Sequence, residues 1–287
     1  MCVDKIRTLV VHTGGIGDFL LACPAVAWLA HDGPVTLLGN RARLQLAVAG
    51  GIAAAARDAD AVDFASVFTE PGPRLRAFLG GFDRAVVWIR DDGIIARAFA
   101  ACGLRDTQCH PGLPPGDWSR HASEYYLERL GAPPDVPWQL QIPARACGAD
   151  CIVHPGSGSP RKNWPLDRFA AVAQALTREG VRVAWYMGPA EETLVLPAIG
   201  ERLPPLSLIA LAETLAGAAL YLGNDSGITH LAAALGRPTV AVFGPTDPRI
   251  WAPRGPQVHV VYDPQWPDVE AVLAAARAML KTDRAQQ

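Results

Sequence analysis

The chain has 287 residues, half of them hydrophobic and 19% charged; this is long for one compact domain, right for two, and unlike a disordered chain. Lys and Arg total 26 against 28 Asp and Glu, a net charge of −2, which argues against a protein that lives on nucleic-acid phosphate. No apolar run reaches the roughly 20 residues of a membrane helix, and the six cysteines (2, 23, 102, 109, 147, 151) show no zinc-type spacing.

The N-terminus enters a strand-like run almost at once, so no secretory signal is expected ahead of it, and reduced thiols in the cytoplasm are the simplest expectation for the cysteines. Apolar runs of strand length follow at Thr8–His12, Val35–Leu38, Ala85–Ile89, Cys151–His154, Val181–Tyr186, Ala219–Leu222 and Thr239–Phe243. Ala/Leu-rich stretches separate them, and Ala53–Ala56 reads as one such helix. Short apolar runs alternating with helices predict parallel strands covered on both faces. The stretch 132–143 breaks the rhythm with four prolines and reads as a linker. The expected fold is therefore α/β: two doubly wound, Rossmann-like domains, 1–143 and 144–287, facing across a cleft.

Open parallel sheets bind ligands at the carboxyl ends of their strands, and four unusual loops fall there. The first, His12-Thr-Gly-Gly-Ile-Gly-Asp18, places Gly14, Gly15 and Gly17 ahead of a helix start, where backbone can come close to a ligand. It lacks the Gly-Lys-Ser/Thr of a Walker loop. It half-matches a dinucleotide fingerprint at Gly15 and Gly17, but Leu20 replaces the third glycine, and strand two ends in Asn40 instead of an acid. Asp18 reads either as a general base or as an acid complementing the helix dipole.

The second loop, Pro155-Gly-Ser-Gly-Ser-Pro-Arg-Lys-Asn-Trp-Pro165, offers Gly/Ser donors beside Arg161 and Lys162. Lys162 is one of three lysines in an arginine-rich chain, and a compact ammonium suits a diphosphate oxygen; a solvated basic turn is the plain alternative. After Val181–Tyr186 comes Gly188-Pro-Ala-Glu-Glu192, where Glu191 or Glu192 could accept from a ribose diol, or simply open a helix over 192–199. The fourth loop, Asn224-Asp-Ser-Gly-Ile-Thr-His230, turns a strand into a helix whose first amides suit a phosphate, with His230 about one turn on. Asp58-Ala-Asp60 has the spacing of a metal-binding motif but is expected to follow a helix, not close a strand. Asp91-Asp92 does end a strand, though adjacent side chains point apart.

Together these loops resemble family 9 glycosyltransferases of the lipopolysaccharide heptosyltransferase type. The carriers are Gly14–Asp18 with Leu20-Leu21 and Pro24, Phe82-Asp83, Trp88-Ile-Arg90, His154-Pro-Gly-Ser157, Lys162-Asn-Trp-Pro165, Gly188-Pro-Ala-Glu191, Asn224–Gly227, His230–Pro238 and Phe243-Gly-Pro-Thr246. The resemblance implies a GT-B fold and an inverting, metal-independent transfer, needing no cofactor beyond a donor such as an ADP-sugar. It implies Asp18 as base, Ser157 and Lys162 on the diphosphate, and Glu191 on the ribose. Asp225, Ser226, Gly227 and His230 would surround the sugar diphosphate. It further implies a cell-envelope glycan or lipopolysaccharide acceptor and a cytoplasmic protein at most peripheral to the inner membrane. The residues alone leave open an epimerase or hydrolase acting on the same donor, or a catalytically silent binding module.

Overall fold

The computed structural model describes residues 5–188, 191 and 194–286 and divides into two compact units, Met1–Leu140 and Gln141–Gln287. In the first, strands β1 (Thr8–His12), β2 (Val35–Gly39), β3 (Ala55–Asp58), β4 (Arg84–Trp88) and β5 (Asp106–His110) alternate with helices. These are α1 (Ile16–Ala30), α2 (Arg41–Ala49), α3 (Pro73–Leu79), α4 (Ile94–Ala101) and α5 (Ala122–Arg129). The sheet is parallel throughout, in the order β3-β2-β1-β4-β5.

The second unit contains β6 (Cys151–His154), α6 (Leu166–Arg178), β7 (Val183–Trp185), β8 (Glu201–Arg202) and α7 (Leu208–Ala216). It continues with β9 (Leu220–Asn224), α8 (Gly227–Ala234), β10 (Thr239–Phe243), α9 (Pro248–Trp251), β11 (Val258–Tyr262) and α10 (Val269–Gln286). Its parallel sheet runs β11-β10-β9-β6-β7-β8. Both orders step outward from the first strand to one side and then to the other, the doubly wound pattern that opens a crevice at the carboxyl ends beside the first strand. Each unit is thus Rossmann-like.

Burial explains the strands. Every residue of β1, β6, β9 and β10 is buried, so these segments are continuous apolar runs. In the second unit Val153, Leu222, Val240 and Val242 pack with Phe169, Val172, Ala173 and Leu176, which recur on one face of α6, and with Val272 and Ala276 of α10. Leu9, Val11, Leu38 and Val87 form the corresponding core of the first unit, with Leu75, Ile95 and Phe99.

Several expectations are corrected. Four strands outside the predicted apolar runs, β3, β5, β8 and β11, are the four sheet edges; of these only β11, Val-His-Val-Val-Tyr, is mostly apolar. The stretch Ala53–Ala56 is not a helix: it bends and runs into β3. Asp58 therefore does close a strand, and its Oδ1 accepts the N–H of Asp60 at 3.0 Å, a local turn. The strand expected over 181–186 shortens to Val183–Trp185. No helix occupies 194–199, and Glu192 lies outside the described residues. Asn40 caps α2, accepting from the Arg43 N–H at 3.2 Å. Asp91 caps α4 through the N–H groups of Ile95 and Ala96 at 3.0 and 3.3 Å. No described helix is long and apolar enough to cross a membrane.

Candidate functional site

In the first unit the glycine loop leaves β1 and enters α1 through an extended Gly15. Asp18, in the first turn, reaches back so that its Oδ2 accepts the Gly15 N–H at 2.9 Å. Neither Gly14 nor Gly15 has left-handed backbone. A Cβ on Gly14 would sit 2.9 Å from His12 Cε1 and 3.2 Å from Asp18 Oδ2, so the missing side chain makes room for an imidazole and a carboxylate. Gly17 lies inside the first turn. Arg43 of α2 fixes the loop by donating to the Gly14 carbonyl at 2.9 Å.

His12 is buried, stacked edge-on to Phe19, and its Nδ1 has no partner. Burial lowers its pKa to about 4; Asp18 opposes that shift and Arg43 adds to it. It stays neutral under Asp18 at ordinary pH.

Asp18 opens onto a cavity of about 610 Å³ at the carboxyl ends of β1, β4 and β5. Its walls include Trp88, Tyr125, the cations Arg90 and Arg129, and the loop Pro111–Gly116. That loop is pinned where the hydroxyls of Tyr125 and Tyr126 donate to the carbonyls of Pro111 and Gly112 at 2.9 and 2.7 Å. A carboxylate, two guanidinium groups and two aromatic rings around one cavity suit a polar, ring-shaped ligand.

In the second unit the loops after β6, β7 and β9 converge. Asn224, fully buried at the end of β9, donates to the Pro155 carbonyl at 2.7 Å and accepts from the Trp164 N–H at 2.8 Å. One side chain thereby clamps both ends of the second loop. Lys162 Nζ lies 2.8 Å from Asp225 Oδ2, joining the second loop to the fourth. The ammonium is 39% exposed and the carboxylate 7%. Ser157 turns inward: its hydroxyl lies 2.7 Å from both the Ser159 carbonyl and Asn163 Oδ1, so it braces the loop.

Ser226 caps α8, accepting the Thr229 N–H at 3.3 Å, and the amides of Gly227 and Ile228 head the helix. His230 is buried one turn on. Thr229, next to it, is buried as well.

Glu191 is also buried. Its Oε2 accepts the Gly188 N–H at 2.8 Å and lies 3.6 Å from Nε2 of the buried His154. The His154 contact, then its charge and the Gly188 N–H, hold the carboxyl below its ordinary pKa against the opposing effect of burial. A Cβ on Gly156 would fall 2.1 Å from the Glu191 carboxyl carbon, so this glycine admits a carboxylate. His154, Gly156 and Asn224 lie in the quoted motifs but carry no expected role of their own, and Tyr221 lies outside them; all four support the site. Only the packing of β6 against β9 brings them together.

Among the described residues no group of three or more His, Cys, Asp or Glu side chains is placed to hold a metal ion. Residues 146–275 match the profile of Glycosyltransferase family 9 (heptosyltransferase). That match lies wholly within the second unit. Lipopolysaccharide heptosyltransferase 1 of Pseudomonas aeruginosa is 30% identical over 167 residues, which is 52% of this chain and 47% of that protein. The sequence match thus spans less than half the length of that relative. Among solved structures, Escherichia coli ADP-heptose lps heptosyltransferase II superposes with a TM-score of 0.76 at 19% identity, covering 97% of this chain and all of that one. Escherichia coli heptosyltransferase WaaC with ADP-2-deoxy-2-fluoro heptose gives 0.64 at 21% identity, covering 98% and 100%. These likenesses fix the fold of both units.

Proposed function

We propose that the chain is an inverting, metal-independent glycosyltransferase that moves a heptose-like sugar from an ADP-sugar to a lipopolysaccharide or related envelope acceptor. The observation that carries this reading is the convergence of Lys162, Asp225, Glu191 and the capped start of α8 within the unit matched to family 9. The ADP and heptose come from the donors named for its structural relatives. The acceptor comes from the curated relative.

In this reading Glu191 accepts from the ribose hydroxyls, and Lys162 with the α8 amides meets the diphosphate. Asp225, Gly227 and His230 line the sugar side, and Ser157 contributes by holding the loop. Asp18 takes the proton of the acceptor hydroxyl. The acceptor oxygen then attacks the anomeric carbon from the face opposite the diphosphate. The carbon–oxygen bond to phosphate breaks, ADP leaves with the electron pair, and the anomeric configuration inverts. The cavity beside Asp18, with Arg90 and Arg129, is the acceptor side. The enzyme would work in the cytoplasm, peripherally to the inner membrane where such an acceptor is built.

Incubation with ADP-heptose and a heptose-deficient lipopolysaccharide tests this, with ADP release and product stereochemistry as readouts. ADP release should require acceptor and persist in EDTA. Release of sugar from the donor alone would mean a hydrolase or epimerase, and loss of turnover in EDTA restored by Mg²⁺ or Mn²⁺ would refute metal independence.

A further inference from the structure

The buried side chains behind Glu191 form a chain of their own. His154, the last residue of β6, is 3% exposed, and its Nε2 has no partner nearer than Glu191 Oε2 at 3.6 Å. On the other side of the ring, Nδ1 lies 3.2 Å from the Tyr221 hydroxyl and 3.5 Å from Ser226 Oγ, the cap of α8. Tyr221 in turn meets Thr229 Oγ1 at 3.1 Å. Thr229 donates to the Asn224 carbonyl, the residue that clamps the second loop. A Cβ on Gly223 would lie 2.4 Å from the Tyr221 hydroxyl, so a glycine is required for that hydroxyl to reach the network.

The orientation of the imidazole follows from what it faces. A bare ring nitrogen next to a carboxylate repels it, so Nε2 carries the proton toward Glu191. Nδ1, on the other side of the ring, is within hydrogen-bond reach of the Tyr221 hydroxyl. Both contacts of the carboxylate fall on Oε2, one from the Gly188 backbone and one from His154, while Oε1 lies against Gly156. A buried carboxylate held on one oxygen by a backbone N–H, with the imidazole 3.6 Å from that same oxygen, presents its other oxygen in a defined direction.

We propose that His154 is a positioning residue of the donor site: through Nε2 it orients Glu191 toward the ribose hydroxyls, and through Tyr221 it ties that orientation to the start of α8. The proposal rests on the reading of Glu191 as the ribose acceptor. It adds that nucleoside recognition and the phosphate-facing helix are set by one buried unit. A purely packing role for His154, whose ring lies 5.3 Å from that of Tyr186, is the alternative to separate.

Two substitutions make opposite demands. His154→Gln keeps an N–H where Nε2 stands but loses the ring; His154→Phe keeps the ring volume but loses the donor. Calorimetric titration with ADP, 2′,3′-dideoxy-ADP and inorganic pyrophosphate provides the readout. The wild type should prefer ADP over the dideoxy analogue by about tenfold, the size of one charge-assisted hydrogen-bond set. His154→Gln should retain most of that preference, and His154→Phe should lose it to within about twofold while pyrophosphate binding is unchanged. Tyr221→Phe, which removes only the hydroxyl, should lower the preference at least twofold, and it decides the matter should His154→Phe fail to fold. Full preference in His154→Phe or in Tyr221→Phe would overturn the proposal, as would equal loss for pyrophosphate. A wild type that does not distinguish the two nucleotides would instead overturn the reading of Glu191 and take this proposal with it.

Discussion

At the scale of single residues, the Lys162–Asp225 pair changes what the lysine can be expected to do. Lys162 does not wait unpaired for a diphosphate; it is held by a buried carboxylate on the neighbouring loop. Any phosphate contact is then made by an ammonium already in place but partly neutralised and partly hydrated. Lys162→Ala should therefore weaken ADP binding by about tenfold, the lower end of a charge-assisted contact, and leave adenosine binding as it was. It should also lower the melting temperature, because Asp225 stays buried without its partner. Adding Asp225→Asn should restore the melting temperature but not ADP affinity. Equal losses for adenosine and ADP would make Lys162 a structural residue only. The roles of Glu191 and Lys162 could be suggested from residue type and motif. Those of His154, Tyr221 and Gly156 could not, because each acts through a contact 30 or more residues away in the chain.

Among elements, the strand ends and sheet edges divide what the sequence discloses from what it hides. Central strands are covered on both faces, so β1, β4, β6, β9 and β10 are visible as apolar runs. Edge strands are half-solvated, and segments such as Asp106-Thr-Gln-Cys-His110 have no such signature; pairing with β4 makes that one a strand. The carboxyl end of β1 also sets a pH dependence. His12 titrates at about 4 in the folded chain against its ordinary 6.5. As pH falls from 6.5 toward 4 the unfolded chain takes up a proton that the folded one refuses, so stability declines through that window and this contribution changes no further below it. The loss is roughly 3 kcal/mol at most. Urea unfolding at pH 7 and pH 4.5 should show a smaller decline for His12→Gln than for the wild type. Equal declines would place the acid sensitivity elsewhere.

For the whole molecule, each unit brings a different half of the proposed chemistry. The first holds a carboxylate at a cavity, and the second a cluster suited to a nucleoside diphosphate and matched to family 9. The division of labour is readable in the sequence because glycine-rich turns follow central strands in both halves. The identity of the acceptor is less so: Arg90 and Arg129 are far apart in sequence and meet only around the cavity. The proposed transfer therefore depends on Asp18 acting in catalysis, not merely capping its helix. Asn in its place keeps an oxygen that can accept the Gly15 N–H, so the helix start and the melting temperature should be preserved. The measurement is steady-state transfer from ADP-heptose by Asp18→Asn, with ADP affinity determined alongside. If Asp18 is the base, kcat should fall by about 10²–10⁴ with ADP affinity within about twofold of wild type, and the acidic limb of the pH–rate profile should be lost. Near-normal turnover with that limb unchanged would contradict it and leave Asp18 as a helix cap.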